Sequence, residues 1–103
     1  MSANRTFREA LDDHALWVKS RGQMGKRLDL RGCNLAGADL SGVNLDGADL
    51  TGAYLDSAIL VRAKLNLANL LEAEFASANF TRAGFECADF TDATGLPTAV
   101  QKS

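Results

Sequence analysis

From Leu28 to Asp92 the chain repeats every five residues without a slip, and that period constrains its fold more than any other feature. Leucine or phenylalanine returns at Leu30, Leu35, Leu40, Leu45, Leu50, Leu55, Leu60, Leu65, Leu70, Phe75, Phe80, Phe85 and Phe90. Two residues before each stands a small or apolar side chain: Leu28, Cys33, Ala38 and Val43, then alanine at every fifth position from Ala48 to Ala88. A period of five fits neither the α-helix, with about 3.6 residues per turn, nor the alternation of about 2 along a flat strand. Side chains at this spacing share an inward direction only if the chain coils, each repeat burying its apolar pair against its neighbours.

The expected organisation is one domain of three segments: a helical cap and connector over 1–27, the repeat region over 28–94, and a tail or cap over 95–103. No run of about 18 apolar residues is present, so no membrane span is expected. The first residues lack the apolar core of a signal peptide, which makes the cytoplasm the expected compartment. Cys33 falls at an inward position and Cys87 at the end of its repeat, ten repeats further along the chain, and both are expected to be free thiols.

Thr6-Phe7-Arg8-Glu9 reads as a capping box, in which threonine and glutamate side chains each satisfy an amide at a helix start. Phe7, Ala10, Leu11, His14, Trp17 and Val18 then share one helical stripe, with Leu16 opposite. Lys19 and Arg21 followed by Gly22 mark the stop, giving a helix from about 6 to 20 and a connector to Arg27. Folded over the first coil, this stripe covers an apolar end that otherwise pairs with other molecules. His14 reads as a packing residue, because no Cys, Asp or Glu joins it at metal spacing.

The strings Ala38-Asp39-Leu40-Ser41-Gly42 and Ala48-Asp49-Leu50-Thr51-Gly52 resemble the A(D/N)LXX consensus of the pentapeptide-repeat family. The resemblance implies an all-β solenoid, a right-handed quadrilateral β-helix with four repeats per coil and the Leu/Phe and small residues pointing inward. On that geometry Gly32, Gly37, Gly42, Gly47 and Gly52 take the second central position of each corner turn, where a type II turn needs φ > 0. Glycine is absent there from Ser57 onward, so the later corners are expected to adopt ordinary backbone angles. The rod is expected to be about 16 Å long, with coils about 4.8 Å apart. Phe75 to Phe90 gather bulk at the C-terminal end, where relatives acting on DNA gyrase place a dimer interface; the tail here either caps that end or leaves it free to dimerise.

Residues 1–27 carry six bases and three acids, and from residue 28 onward there are five bases and ten acids, so charges of +3 and −5 make up the net −2. With four repeats per coil, Asp29, Asp49, Asn69 and Asp89 form an outward ladder, with Glu72 and Asp92 at its corner and Arg31 the one base. The neighbouring face adds Asp56 and Glu74, while Arg62 and Arg82 lie opposite. Ten carboxylates over about 16 Å approach the phosphate density of duplex DNA, about one per 1.7 Å of axis, and the net value halves it. Tyr54, Ile59, Val61, Leu67 and Leu71 are apolar at outward positions.

The sequence holds no phosphate loop, no paired nucleophile and base, and no metal-spaced His/Cys cluster, so neither catalysis nor a cofactor is expected. The resemblance implies a DNA-mimicking inhibitor or protector that occupies the DNA-binding groove of a gyrase-like enzyme; a rod this short, equal to only about five base pairs, suits instead another DNA-binding machine such as a CRISPR surveillance complex, as a phage-borne anti-CRISPR would. The partner is then a DNA-binding protein, met through Asp29, Asp49, Asp56, Glu72, Glu74, Asp89 and Asp92, with no direct nucleic-acid binding. The alternative is a scaffold whose acidic face only confers solubility. Replacing Leu50 with Asp is expected to prevent folding, because an unpaired charge would enter the stack; circular dichroism and a thermal melt of the variant check it.

Overall fold

Parallel bridges tie each outward residue to the one twenty positions further on: Asp29 to Asp49, Asn34 to Tyr54, Asp39 to Ile59 and Asn44 to Lys64. The pattern continues to Glu74 and Thr94, so four five-residue repeats make one coil. The structure, a computed structural model, describes residues 6–97; residues 1–5 and the rest of the expected C-terminal cap, 98–103, lie outside the described residues. Each face contributes single-residue bridges, and among the described residues no extended strand forms. A side of the coil is too short for one before the corner turns it.

Backbone hydrogen bonds set the register. Leu50 N–H donates to Asn69 O at 2.7 Å, and Asn69 N–H returns a bond to Ala48 O at 2.9 Å. The same exchange recurs on every face, from Leu30 with Asp49 to Leu70 with Asp89. Within the stack, the leucines from Leu40 to Leu70 and Phe75 are at most 1% exposed, as are the alanines from Ala48 to Ala73. Alanine lets the backbone approach the axis while leucine fills the space that remains at interior density. Burial thins towards both ends, where Cys33, Leu35, Ala38 and Val43 on one side and Phe85 and Phe90 on the other are only partly covered. Four phenylalanines, one from each side, close the C-terminal end of the core: Phe75 lies 5.0 Å from Phe80 and 6.0 Å from Phe90, and Phe85 lies 5.9 Å from Phe90.

The helix α1 spans Phe7–Lys19, with Thr6 Oγ1 accepting Glu9 N–H at 3.0 Å and Glu9 Oε1 accepting Thr6 N–H at 2.9 Å. Leu11 joins the core cluster and His14 is fully buried against the first coil, while Ala10, Trp17 and Val18 are half-buried. Phe7, expected on the inner stripe, is instead 41% exposed, because the contact with the rod begins only at Ala10 and Leu11. The connector returns to the helix through Lys26 N–H to Asp13 O, 3.1 Å.

The corners overturn one expectation. Glycines 32 to 52 have φ between 67° and 72°, and the side-chain-bearing corners Ser57, Arg62, Leu67, Glu72, Ser77, Arg82, Cys87 and Asp92 hold nearly the same angle, 58° to 62°. Local preference disfavours this region for such residues by about 1 kcal/mol or more. It is overridden because every corner closes with the same hydrogen bond, such as Ala63 N–H to Leu60 O at 3.0 Å, while holding the residues on both sides inward. The corner amide also serves the stack where another coil follows, as Arg62 N–H does to Thr81 O at 2.9 Å.

A Cβ added at Gly37 meets nothing within 4 Å, whereas one at Gly25 is driven into the backbone of Asp13 and Trp17. Gly37→Ala is therefore expected to cost about 1 to 2 kcal/mol, the left-handed penalty alone. Gly25→Ala is expected to cost considerably more, by separating α1 from the connector. Denaturant titrations of the two variants make the comparison.

Candidate interaction surface

Stacking at a register of twenty turns the four corners into four columns of different chemistry. One column runs Gly32, Gly52, Glu72, Asp92; the next is Gly37, Ser57, Ser77; the third is Gly42, Arg62, Arg82; the fourth is Gly47, Leu67, Cys87. The acidic column and the arginine column stand at diagonally opposite corners. Because the first coil carries glycine at each of these positions, only the later coils present corner side chains.

Beside the acidic column runs the ladder Asp29, Asp49, Asn69, Asp89, joined by successive bridges. Asp29 and Asp89 are exposed and Asp49 is half-buried. Each of these carboxylates already has work within its own turn. Asp49 Oδ1 accepts both Thr51 N–H, at 3.1 Å, and Thr51 Oγ1–H, at 2.7 Å, and Asp89 does the same with Thr91 at 3.0 and 2.6 Å. Asp29 accepts Arg31 N–H at 3.1 Å and pairs with its guanidinium through two bonds of 2.9 and 2.8 Å. Arg31 also comes within 3.8 Å of Asp49, so one cation offsets the N-terminal part of the ladder.

These contacts favour the ionised carboxylates. The hydrogen bond from the Arg31 side chain, then that from its backbone, brings the Asp29 pKa down to about 2. Hydroxyls do the same in direction elsewhere: Ser41 lowers the pKa of Asp39, and Thr91 that of Asp89. Asp29 thus contributes stability that is present above its ordinary 3.8 and lost as pH falls towards 2.

Asp56, expected to add free charge to the neighbouring face, is half-buried and spans two coils by accepting Ala76 N–H at 3.1 Å. Asp46 and Asn66 act likewise on another side, accepting Asn66 N–H and Glu86 N–H at 2.9 Å each. Asp46 did not stand out in the sequence, since its role depends on a residue twenty positions away. The side-chain carboxylates of Glu72, Glu74 and Asp92 make no hydrogen bond to another described residue; Glu72 and Asp92 are exposed and Glu74 half-buried. Among the outward apolar residues, Tyr54, Ile59 and Leu67 are exposed. Leu67 borders an open groove of about 480 Å³ with Trp17, Val18, Arg21, Arg27 and Asp46. Among the described residues there is no cluster of three or more His, Cys, Asp or Glu side chains able to hold a metal. Cys33 and Cys87 are free, and no described helix is long and apolar enough to cross a membrane.

A filled solenoid with chemically distinct outer columns defines a protein that offers surfaces to other molecules. The chain belongs to the pentapeptide-repeat family, whose model matches residues 27–60 and 58–94 in eight copies of the repeat. The family's fold is the right-handed quadrilateral β-helix, and its members are generally structural or interaction proteins. Among solved structures, a pentapeptide-repeat protein of the Arabidopsis thaliana thylakoid lumen is 34% identical, with 72% of this chain and 57% of that one covered and a TM-score of 0.39. A pentapeptide-repeat protein from Nostoc PCC 7120 is 21% identical over 90% of this chain and 78% of its own, with a TM-score of 0.29. The chain thus spans little more than half the length of the thylakoid protein. No curated protein matches it.

The turn bonds need an oxygen but not a charge. Asp49→Asn is expected to leave the melting temperature nearly unchanged, while Asp49→Ala is expected to cost about 1 to 2 kcal/mol by releasing the two donors of Thr51. Calorimetry on the pair separates the hydrogen bonds from the charge.

Proposed function

We propose that the protein is a non-enzymatic interaction module that presents Asp29, Asp49, Glu72, Asp89 and Asp92 to a cationic groove of a DNA-handling protein, in competition with duplex DNA. The observation that carries this reading is that the fold does not require the charge. Asn34, Asn44, Asn69 and Asn79 accept the same turn amide through a neutral oxygen, at 3.0 to 3.1 Å. Aspartate at 29, 49 and 89 therefore adds charge beyond what the turns demand. Glu72 and Asp92 extend it at corners whose left-handed backbone glycine adopts more easily.

The arginine column at the opposite corner stays clear of a cationic partner, and Glu74 reinforces the approach from the adjoining face. Like-charge repulsion argues against direct binding of nucleic acid by this region, with its net −5. In this reading α1 closes the N-terminal end of the rod against unwanted pairing. The module acts as a monomer or as a dimer joined through the Phe85 and Phe90 end, in the reducing cytoplasm that suits its free thiols.

The test is a triple variant, Asp49→Asn, Glu72→Gln and Asp89→Asn, with Arg62→Ala and Arg82→Ala as a control on the other corner. The immobilised protein is expected to retain a DNA-binding protein from lysate that duplex DNA displaces and that salt raised from about 50 to about 200 mM releases. The triple variant is expected to melt as wild type does but to lose at least about tenfold in affinity, mainly through a slower on-rate. Equal binding by wild type and triple variant at low salt overturns mimicry and leaves a scaffold that adheres through apolar side chains such as Ile59 and Val61.

A further inference from the structure

His14 lies where α1, the connector and the first coil meet, and it is fully buried. Its Nδ1 accepts the backbone N–H of Leu28 at 2.9 Å. A backbone N–H only donates, so the ring proton sits on Nε2, which donates to Asp46 O at 2.8 Å. The imidazole is neutral and satisfied on both sides.

These bonds let a side chain replace part of a coil. One coil further on, the carbonyl equivalent to Asp46 O is that of Asn66, and it accepts the amide of Gly47 at 2.8 Å. Among the described residues no coil lies above Asp46, and the His14 ring supplies the donor instead. Arg27 Nε adds a neighbouring bond to Gly47 O at 2.6 Å, and Trp17 stacks on His14 with centroids 5.5 Å apart and planes 19° from parallel.

A second proton has only Nδ1 to occupy, where it faces the Leu28 N–H, donor against donor. The charged groups facing the ring oppose each other. Asp46 on the rod favours a cation, although its Oδ1 is engaged by Asn66 N–H, and Arg27 on the connector disfavours one. Asp13 precedes His14 on α1 and joins the connector through its carbonyl. Burial outweighs the attraction and holds the His14 pKa below its ordinary 6.5.

We propose that His14 is a proton-operated latch: a proton added at Nδ1 breaks the bond to Leu28 and releases α1 from the first coil while the rest of the rod stays wound. The later coils have their own ladder and their own buried residues, from Ala48 to Phe75. The latch is independent of the acidic face and its partner. Its sign follows from the buried neutral ring. The free, open form binds the proton more readily than the latched form, so closure is fully favoured above pH 6.5 and weakens as pH falls below it, until the latched ring itself titrates.

The chain has one histidine and one tryptophan, so each signal is unambiguous. The experiment follows the His14 ring nitrogens by ¹⁵N NMR, Trp17 fluorescence, and amide exchange of the intact protein from neutral to acid pH, corrected for intrinsic rates. Expected are an Nε2–H tautomer at neutral pH and a titration below 6.5. The opening of α1 and of the Leu28 amide is expected to grow by up to about tenfold per pH unit while amides such as Leu50 and Leu60 stay protected. His14→Gln offers a donor and an acceptor that do not titrate, and its α1 opening is expected to be flat over the same range. A His14 pKa at or above 6.5, helix and coil amides opening together at every pH, or an unchanged pH dependence in His14→Gln overturns the latch. Should the variant not fold, the wild-type titration and exchange decide by the same criteria.

Discussion

The coil-to-coil hydrogen bond, from an inward residue's amide to a carbonyl nineteen positions on, is the interaction on which everything else depends. Leu30 to Asp49 and Leu50 to Asn69 are two instances. With each bond advancing the chain by one coil, the inward positions fall into columns of leucine, alanine and phenylalanine with no slack. A one-residue slip would turn every inward side chain outwards. The hydrophobic stack and the ladder therefore specify the same register, and neither is independent of the other.

That register also decides what the surface displays. Residues twenty apart become neighbours, so scattered letters in the chain become columns: two acids at one corner, two arginines diagonally across. Asp and Asn alternate freely within the turns because both supply the oxygen that the next amide requires. What distinguishes them is charge alone, and the distribution of that charge is where selection for a partner has room to act without disturbing the fold.

A solenoid must also end, and its two ends are finished differently. At the C-terminal end four phenylalanines tilt against one another and fill the last coil. At the N-terminal end the chain turns away into a helix and covers the first coil with Leu11 and His14. Using an imidazole to satisfy a carbonyl and an amide that another coil would have bonded places a titratable group at a structural joint.

The period of five determined the span of the rod and its inward residues, because side chains at that spacing share a direction only in a coil, while the four repeats per coil that align the ladder from Asp29 to Asp89 came from the resemblance to the pentapeptide-repeat family. The capping box at Thr6 and Glu9 was equally plain, since its partners lie three residues apart. Three features needed the tertiary structure. The later corners adopt left-handed angles against local preference, since turn closure and the inward stack prevail over the propensities of Ser57 or Leu67. Asp56 and Asp46 are ties between coils and not free charges, since their partners stand twenty residues away and a carboxylate in the chain looks alike in either role. Phe7 lies exposed while His14 is buried, although both fall on one stripe, because helical periodicity says which side faces inwards but not where along the helix the rod begins.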